Sequence, residues 1–267
     1  FHVFYMMLAG APKEMKRQFH LNDATAEGMH YLNGSNCFKV SGRSEKKLYV
    51  QLIEAFEKLG FDGSDIEKIF QLLASILLLG NLFFEESAGN DGSQIVGGDS
   101  AIITIAQLMG IHDTKALAHA LCFKELPVGG DVTQVALRAS LATEQRDAVA
   151  KYVYSQIFDY IVLHVNKQLD RSAATKEEGG SLGNVIGVLD IFGFEVFQSN
   201  SFEQLCINYC NERLQTFFNT VIFKTELELY EAEGVDCSGI AYQDNLGCVK
   251  VIDLSLIHIS EPTRLST

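Results

Sequence analysis

Two carboxylates and a glycine follow an apolar run in the stretch VIGVLDIFGFEVF, residues 185–197. Asp190 ends that run, and Gly193 and Glu195 follow at short spacing. A carboxylate at the carboxyl end of a buried strand can accept hydrogen bonds from water bound to Mg²⁺. Glycine has no Cβ, so its backbone N–H can approach a phosphate closely. The pattern therefore indicates an edge that binds magnesium and phosphate, with Glu195 available to pair with an arginine or to orient a water.

The pattern D-x-x-G alone is common, and an alternative interpretation stays open. In that alternative Asp190 caps a turn, Gly193 turns the chain and Glu195 is solvated. The flanking sequence favours a functional site, because residues 185–191 are apolar and mostly β-branched and predict a buried strand. A glycine N–H that binds a terminal phosphate loses its partner when the phosphate leaves, so such a loop could sense hydrolysis.

A long helix is predicted directly after this loop. Residues 202–233 contain neither Gly nor Pro, and a helix of about 32 residues would extend roughly 48 Å. Ser201 and Gln204 match a capping box at its start. The apolar positions do not keep strict heptads, which favours a rod inside a domain over a coiled coil. A helix of this length calls for a mechanical role.

The rest of the sequence is mainly helical in its periodicity. Apolar residues recur at helical spacing in six segments, 1–20, 44–59, 60–80, 100–110, 113–122 and 142–169. Ser64 or Asp65 is expected to cap the third segment, and Gly80 to end it. Residues 84–100 read as a surface loop, and residues 123–140 alternate like a small hairpin or exposed loop.

Composition excludes several classes of protein. The chain has 267 residues, a formal net charge of −13 and 47% hydrophobic residues. This acidic balance argues against general nucleic-acid binding, which normally uses a basic surface. The most hydrophobic window, residues 69–84, is interrupted by polar residues and is shorter than the ~20 apolar residues that span a bilayer. It predicts a buried core helix and no transmembrane segment.

Six cysteines are scattered along the chain, which predicts reduced thiols in a reducing compartment. Cys206 and Cys210 lie one helical turn apart, a spacing that could serve a metal. With no His or further Cys close by in the sequence, we expect them to be small buried residues.

The two ends of the sequence differ from the rest. The first residue is Phe, which suggests a fragment. The last residues, SLIHISEPTRLST (255–267), have no periodicity and are expected to be translated vector or adaptor sequence.

Taken together, these blocks resemble the myosin motor domain family. The stretch VIGVLDIFGFEVFQSNSFEQLCINYCNERLQTFFNTVIFKTELELYEAEGV is similar to the switch II loop and relay helix of that family. FHVFYMMLAGA, HYLNGSNC, IFQLLASILLLGNLFF and RDAVAKYVYSQIFDYIVLHVN are similar to its other helical segments, and DNLGCVKVID to the segment after the relay helix. The resemblance extends to about Ile252.

This resemblance implies a fold class, an α/β P-loop NTPase-type motor. The chain would be a predominantly helical fragment of it with a buried central-sheet strand. Residues 1–184 would form the upper actin-binding half of the motor domain. Residues 185–252 would hold the switch II strand, the relay helix and the start of the lower half, and residues 253–267 a non-native tail.

The resemblance also implies a mechanism for the complete protein, an actin-activated motor that hydrolyses Mg-ATP and transmits force through switch II and the relay helix. Asp190 would hold Mg²⁺ through water, and the N–H of Gly193 would bind the γ-phosphate of ATP. Glu195 would form a salt bridge to an arginine of switch I. Such a protein would be cytoplasmic, on the actin cytoskeleton, and its light chains would bind a lever arm outside this sequence.

KELPVGGDVTQVALRAS resembles the actin-contacting loop of the family. It implies Lys124, Asp131 and Thr133 as actin contacts. In many members an acidic or phosphorylatable residue lies sixteen positions before a D-A-[LV]-A-K motif. That motif starts here at Asp147, which selects Asp131. The alternative is that Asp131 is an ordinary solvated loop residue.

Two motifs of the family do not occur in this sequence. There is no G-x-x-x-x-G-K-[ST] phosphate loop and no N-x-x-S-S-R-x-G switch I, so the chain alone is not expected to bind ATP measurably. An alternative function is a non-catalytic actin-associated or helical interaction protein with a vestigial switch II. A kinesin or small-GTPase relative sharing only D-x-x-G is disfavoured, because the flanking blocks do not fit.

Overall fold

The computed structural model of the chain describes residues 1–87, 92–97, 99–128, 131–171, 186–237, 239–240 and 244–260. It divides into two compact units, Phe1–Gly180 and Ser181–Thr267. The described residues are mostly helical, with two small antiparallel sheets. The predicted helical character is therefore confirmed.

The first unit is a helical assembly around one buried helix. Its helices are α1 (His2–Gly10), α2 (Lys13–Gln18), α3 (Glu45–Lys58), α4 (Gly63–Gly80), α5 (Ser100–Leu108), α6 (Thr114–Cys122) and α7 (Ala139–Arg171). Helix α4 packs against α5 and α7, and α1 packs against α3. Phe70, Leu77 and Leu79 of α4 are fully buried, as expected for the most apolar segment of the sequence.

The start of α4 differs from the sequence prediction. Asp62 caps the helix, and its Oδ1 accepts a hydrogen bond of 2.8 Å from the N–H of Asp65. The expected caps, Ser64 and Asp65, lie inside the first turn because the extended backbone of Asp62 lets the helix begin at Gly63. The predicted end at Gly80 is confirmed.

Two hairpins complete the first unit. Strands β1 (Phe84–Glu86) and β2 (Ser93–Ile95) pair within the segment predicted to be a loop. Strands β3 (Phe123–Val128) and β4 (Asp131–Ala136) form the predicted small hairpin. The carboxylate of Glu86 accepts a hydrogen bond of 3.1 Å from the N–H of Ala139, and this contact ties β1 to the first turn of α7.

Arg146 of α7 is the main polar group in the core of this unit, with only 1% of its surface exposed. Its Nη1 donates to the carbonyl oxygens of Gly80 (3.1 Å) and Leu82 (2.6 Å). Its Nε donates to Oδ1 of Asp147 at 2.8 Å. These bonds satisfy carbonyls that the end of α4 leaves without an intrahelical partner. Arg146 therefore fastens α7 to the end of α4.

Tyr31 completes this contact from the segment between α2 and α3. Its hydroxyl donates to Oδ1 of Asp147 at 2.6 Å, and the guanidinium of Arg146 lies 5.6 Å from the centre of its ring. Burial, and then the hydrogen bond to the Asp147 carboxylate, raise the pKa of Tyr31. The hydroxyl therefore stays protonated and keeps donating at neutral pH.

The same segment lies against the end of α4. A Cβ added to Gly80 would lie 2.7 Å from Cδ2 of Tyr31, so only glycine allows this approach. The amide of Asn81 donates to the carbonyl of Gly28 at 3.0 Å and accepts from the N–H of His30 at 2.9 Å. The end of α4 thus organises the connection between α2 and α3.

The second unit contains the predicted long helix. Helix α8 (Phe202–Phe218), a π-helical segment (Asn219–Lys224) and α9 (Thr225–Ala232) follow one another without a break. The predicted helix is confirmed, but its π-helical middle was not foreseen. Ser201 occupies the N-cap position, yet its side chain makes no capping hydrogen bond, so the predicted capping box is not formed.

A last helix, α10 (Leu246–Ser260), follows. Its backbone runs through the expected boundary at 252/253 without interruption. Residues 261–267 lie outside the described residues, and the vector origin of residues 255–267 stays a prediction.

The buried central-sheet strand predicted for residues 185–191 is wrong for this chain. Residues 186–191 have no strand assignment, and Ile186 and Val188 are 94% and 92% exposed; Val185 lies outside the described residues. A strand needs a neighbour for its backbone hydrogen bonds. The described strands pair only as β1–β2 and β3–β4. The apolar pattern is typical of a buried strand, but these residues are exposed in this chain.

The predicted burial of Cys206 and Cys210 is also wrong, because both side chains are exposed. In the part of the chain that the structure describes, no helix is long and apolar enough to cross a membrane.

The Arg146 contact predicts a measurable loss of stability. Arg146→Met keeps a long apolar stem but leaves the buried carbonyls of Gly80 and Leu82 without a donor. Unsatisfied buried groups cost about 1–3 kcal/mol each, so urea denaturation should give a correspondingly lower free energy of unfolding. The control is Arg17→Met, which removes an exposed 2.9 Å ion pair with Glu14 and should cost under about 1 kcal/mol. Equal losses for the two variants would contradict the assigned role.

Candidate functional site

The candidate site residues lie in an irregular segment before α8, residues 190–200, here called the pre-α8 loop. Asp190 and Gly193 are exposed, and Glu195 is half-buried. A Cβ added at Gly193 would meet no atom within 4 Å. There is therefore open space beside Gly193, and the side chains of Asp190 and Glu195 are at least partly accessible.

The side chain of Asn208 in α8 forms hydrogen bonds with both backbone groups of Glu195, its N–H and its carbonyl. Its Nδ2 donates to the carbonyl of Glu195 at 2.7 Å, and its Oδ1 accepts from the N–H of the same residue at 2.9 Å. A carboxamide carries a donor and an acceptor side by side and so imitates a neighbouring strand. Asn208 is only 5% exposed, which makes these bonds expensive to lose.

Two further asparagines hold the same loop. Asn211 donates to the carbonyl of Gly193 at 3.1 Å. Asn200 donates to the carbonyl of Phe197 at 2.7 Å and accepts from its N–H at 2.9 Å. The N–H of Gly193 is not among the groups that these asparagines engage. The loop is thus positioned through its other backbone groups.

Asn208 and Asn211 were missed by sequence reasoning, although the sequence carries a signal. Asparagine is a poor residue for a helix interior, because its side chain competes for backbone groups. Two asparagines three residues apart lie on one helical face. In a helix directly after a candidate phosphate-binding loop, this spacing predicts side chains that bind the loop backbone.

Another face of α8 contacts the segment after the long helix. Nδ2 of Asn245 donates to the backbone carbonyl of Glu212 at 2.8 Å and to its carboxylate at 2.7 Å. The hydroxyl of Tyr209 donates to Asp253 of α10 at 2.5 Å, and that hydrogen bond raises the pKa of Tyr209. Helix α8 therefore contacts the pre-α8 loop on one face and α10 on another.

The predicted actin-contacting residues lie on the β3–β4 hairpin. Lys124 pairs with Val135 and Leu126 with Thr133, so Lys124 and Thr133 occupy positions on the same face of the hairpin. Both are exposed. Asp131 begins β4 opposite Val128, and its side chain lies outside the described part of the structure. The actin assignment stays a prediction.

The described residues supply only part of the ligand set that Mg²⁺ needs. Among the described residues, no group of three or more His, Cys, Asp or Glu side chains could hold a metal ion. Mg²⁺ in nucleotide sites commonly takes one or two carboxylates, several waters and substrate phosphates. The exposed carboxylate of Asp190 fits one position in such a set, through a bound water.

Comparison with known proteins decides the family. The family model for the myosin head (motor domain) matches residues 1–260. The chain belongs to the myosin head family. It is 36% identical over 253 residues to Myosin-2 of Arabidopsis thaliana. It is 38% identical over 266 residues to the myosin IA heavy chain of Dictyostelium discoideum, and 37% over 257 residues to unconventional myosin-XV of Homo sapiens.

These matches cover nearly all of the chain but a small part of each relative. The match covers 95% of this chain and 20% of the Arabidopsis relative. The corresponding shares are 97% and 26% for the Dictyostelium relative, and 95% and 7% for the human relative. The chain is therefore a partial myosin motor domain. The family match runs past Ile252, where the resemblance was expected to end, to residue 260.

The Asn208 contact of this myosin segment predicts a local change in amide exchange. Asn208→Ala removes the acceptor for the N–H of Glu195, and hydrogen exchange of that amide should accelerate about fivefold for a bond worth ~1 kcal/mol. The control is Asn211→Ala, which removes only the donor to the Gly193 carbonyl and should leave the Glu195 amide unchanged. Residue-resolved exchange by NMR or mass spectrometry measures both. Equal protection in the wild type and Asn208→Ala would refute the contact.

Proposed function

We propose that the chain is the part of an actin-based ATPase motor in which a phosphate-sensing loop drives a long helix. In this proposal residues 190–195 act as switch II, and residues 202–232 act as the relay helix. The observation that supports it best is the double hydrogen bond between Asn208 and the peptide of Glu195. Through it, a displacement of the loop becomes a displacement of the helix.

Each residue of the loop has a distinct role in the proposal. Mg-ATP, bound largely by other parts of the complete protein, supplies the γ-phosphate and the cation. Asp190 would hold the Mg²⁺ through water, and the N–H of Gly193 would donate to the γ-phosphate. Glu195 pairs with an arginine of switch I in the complete protein and so closes the site for hydrolysis. Asn208 fixes the peptide of Glu195 and so orients its side chain.

The π-helical segment supplies the conformational freedom that a relay element needs. π-Helical turns are rare and occur often at functional sites. One residue corresponds to about 100° of rotation in an α-helix. A change of this segment between π and α geometry would therefore rotate α9 relative to α8. Thr225 follows the segment, and its backbone N–H donates to the carbonyl of Thr220, five residues earlier, which is the spacing of a π-helix.

The β3–β4 hairpin is the proposed contact with the actin filament. Lys124 and Thr133 present a cation and a hydroxyl on one exposed face, and Asp131 is proposed to supply a fixed carboxylate at the hairpin tip. We place the complete protein in the cytoplasm on the actin cytoskeleton. Light chains would bind outside this chain.

Gly193→Ala in the complete protein tests the proposal. An added Cβ meets no atom within 4 Å, and the φ angle of Gly193 is not in the left-handed region, so the variant should fold normally. The Cβ would occupy the approach to the γ-phosphate. Nucleotide binding should be partly kept, while actin-activated hydrolysis should fall by at least about 10²-fold, as for loss of one preorganised donor. Steady-state ATPase and nucleotide-binding measurements check this.

The matched control is Gly187→Ala, whose added Cβ also meets no atom within 4 Å; it should keep activity. Retained actin-activated turnover in Gly193→Ala would contradict the assigned role. It would favour the alternative, a non-catalytic actin-associated or helical interaction protein with a vestigial switch II.

A further inference from the structure

Two thiols on α8 have no role in the contacts described above. Cys206 and Cys210 are free and exposed, one helical turn apart. Asn208 lies two residues from each of them, so at 100° per residue it points about 160° away from both. The thiols therefore lie on the face of α8 opposite Asn208 and the part of the pre-α8 loop that it binds, and are separated from each other by only about 40°.

The spacing suits chelation and does not suit a disulfide. Side chains at i and i+4 have Cβ atoms about 5–6 Å apart, whereas a disulfide needs about 3.5–4.5 Å. Closing that bond would distort the helix. A single atom between the sulfurs adds two bonds of roughly 2.3 Å each, taking metal–sulfur bonds as the guide. Two thiols on an intact α-helix can therefore bind one shared atom.

The bound atom must be one that needs only two sulfur ligands from the protein. Structural zinc takes four ligands, and no cluster of three or more His, Cys, Asp or Glu side chains occurs in the described ranges. Trivalent arsenic with one carbon substituent has two remaining valences and strongly prefers sulfur. We propose that Cys206 and Cys210 form a two-thiol binding site for trivalent organoarsenic compounds.

The reaction is balanced without an oxidant or a reductant. An organoarsenic oxide, R–As=O, reacts with the two thiols to give a cyclic R–As(S–Cys)₂ adduct and one water. Two S–H bonds and the As=O bond break, and two As–S bonds form. Both protons leave with the oxygen, and arsenic stays trivalent. The adduct bridges one turn of α8 on the face away from Asn208, so the proposal does not depend on the motor function.

Phenylarsine oxide is the probe for the test. With excess glutathione present to remove singly bound arsenic, intact mass spectrometry of the folded chain should show one adduct, which a 1,2-dithiol removes. Cys206→Ser and Cys210→Ser should each lower the apparent affinity by about 10²-fold, because the second sulfur then no longer binds intramolecularly. Cys37→Ser and Cys248→Ser, which change exposed thiols elsewhere, should bind as the wild type does.

A rescue variant separates pairing from a general loss of structure. Cys206→Ser combined with Leu214→Cys moves the pair one turn along α8, to a position that is 36% exposed, and should restore binding. Circular dichroism checks that the helix content is unchanged. The proposal is overturned if either single serine variant binds as tightly as the wild type, or if the rescue variant keeps its helix content but binds no better than Cys206→Ser.

Discussion

The pairing of one buried carboxamide with one peptide group determines how the second unit is organised. Asn208 gives the backbone of Glu195 the two hydrogen bonds that a neighbouring strand would supply, in a segment that has no strand neighbour among the described residues. Asn211 and Asn200 extend this support to Gly193 and Phe197. The asparagines therefore hold the loop through its backbone groups. None of these bonds involves the carboxylates of Asp190 and Glu195.

The first unit uses the same physical device at the end of α4. The last carbonyls of a helix have no intrahelical partner, and Arg146 satisfies that of Gly80 and the nearby carbonyl of Leu82. Asn81 binds the connection between α2 and α3 by a donor and an acceptor. In both units, polar side chains on helices satisfy backbone groups of irregular segments, and thereby fix segments that apolar packing alone would leave undetermined.

The helices were predictable from the sequence because apolar periodicity reports local structure directly. The hairpin at residues 123–136 followed from Pro and Gly in an alternating segment.

The strand at 185–191 was predicted wrongly, since an apolar pattern indicates a segment that needs burial and does not indicate whether partner strands are present. The cap of α4, the π-helical segment and the exposed thiols depend on backbone geometry that composition does not encode. Asp190, Gly193 and Glu195 were selected by residue type and spacing, and their roles stay a prediction. Asn208 required attention to a poor helix former inside a helix.

We infer that the loop and the helix move together through Asn208 and Asn211. The most direct test places spin labels at Ile207 and Leu229, which are 48% and 50% exposed, in the complete motor. Pulsed electron paramagnetic resonance then measures their distance with and without a non-hydrolysable ATP analogue. This coupling predicts a nucleotide-dependent distance change in the wild type that is lost in the Asn208→Ala, Asn211→Ala double variant while the nucleotide still binds. An unchanged response in the double variant would contradict it.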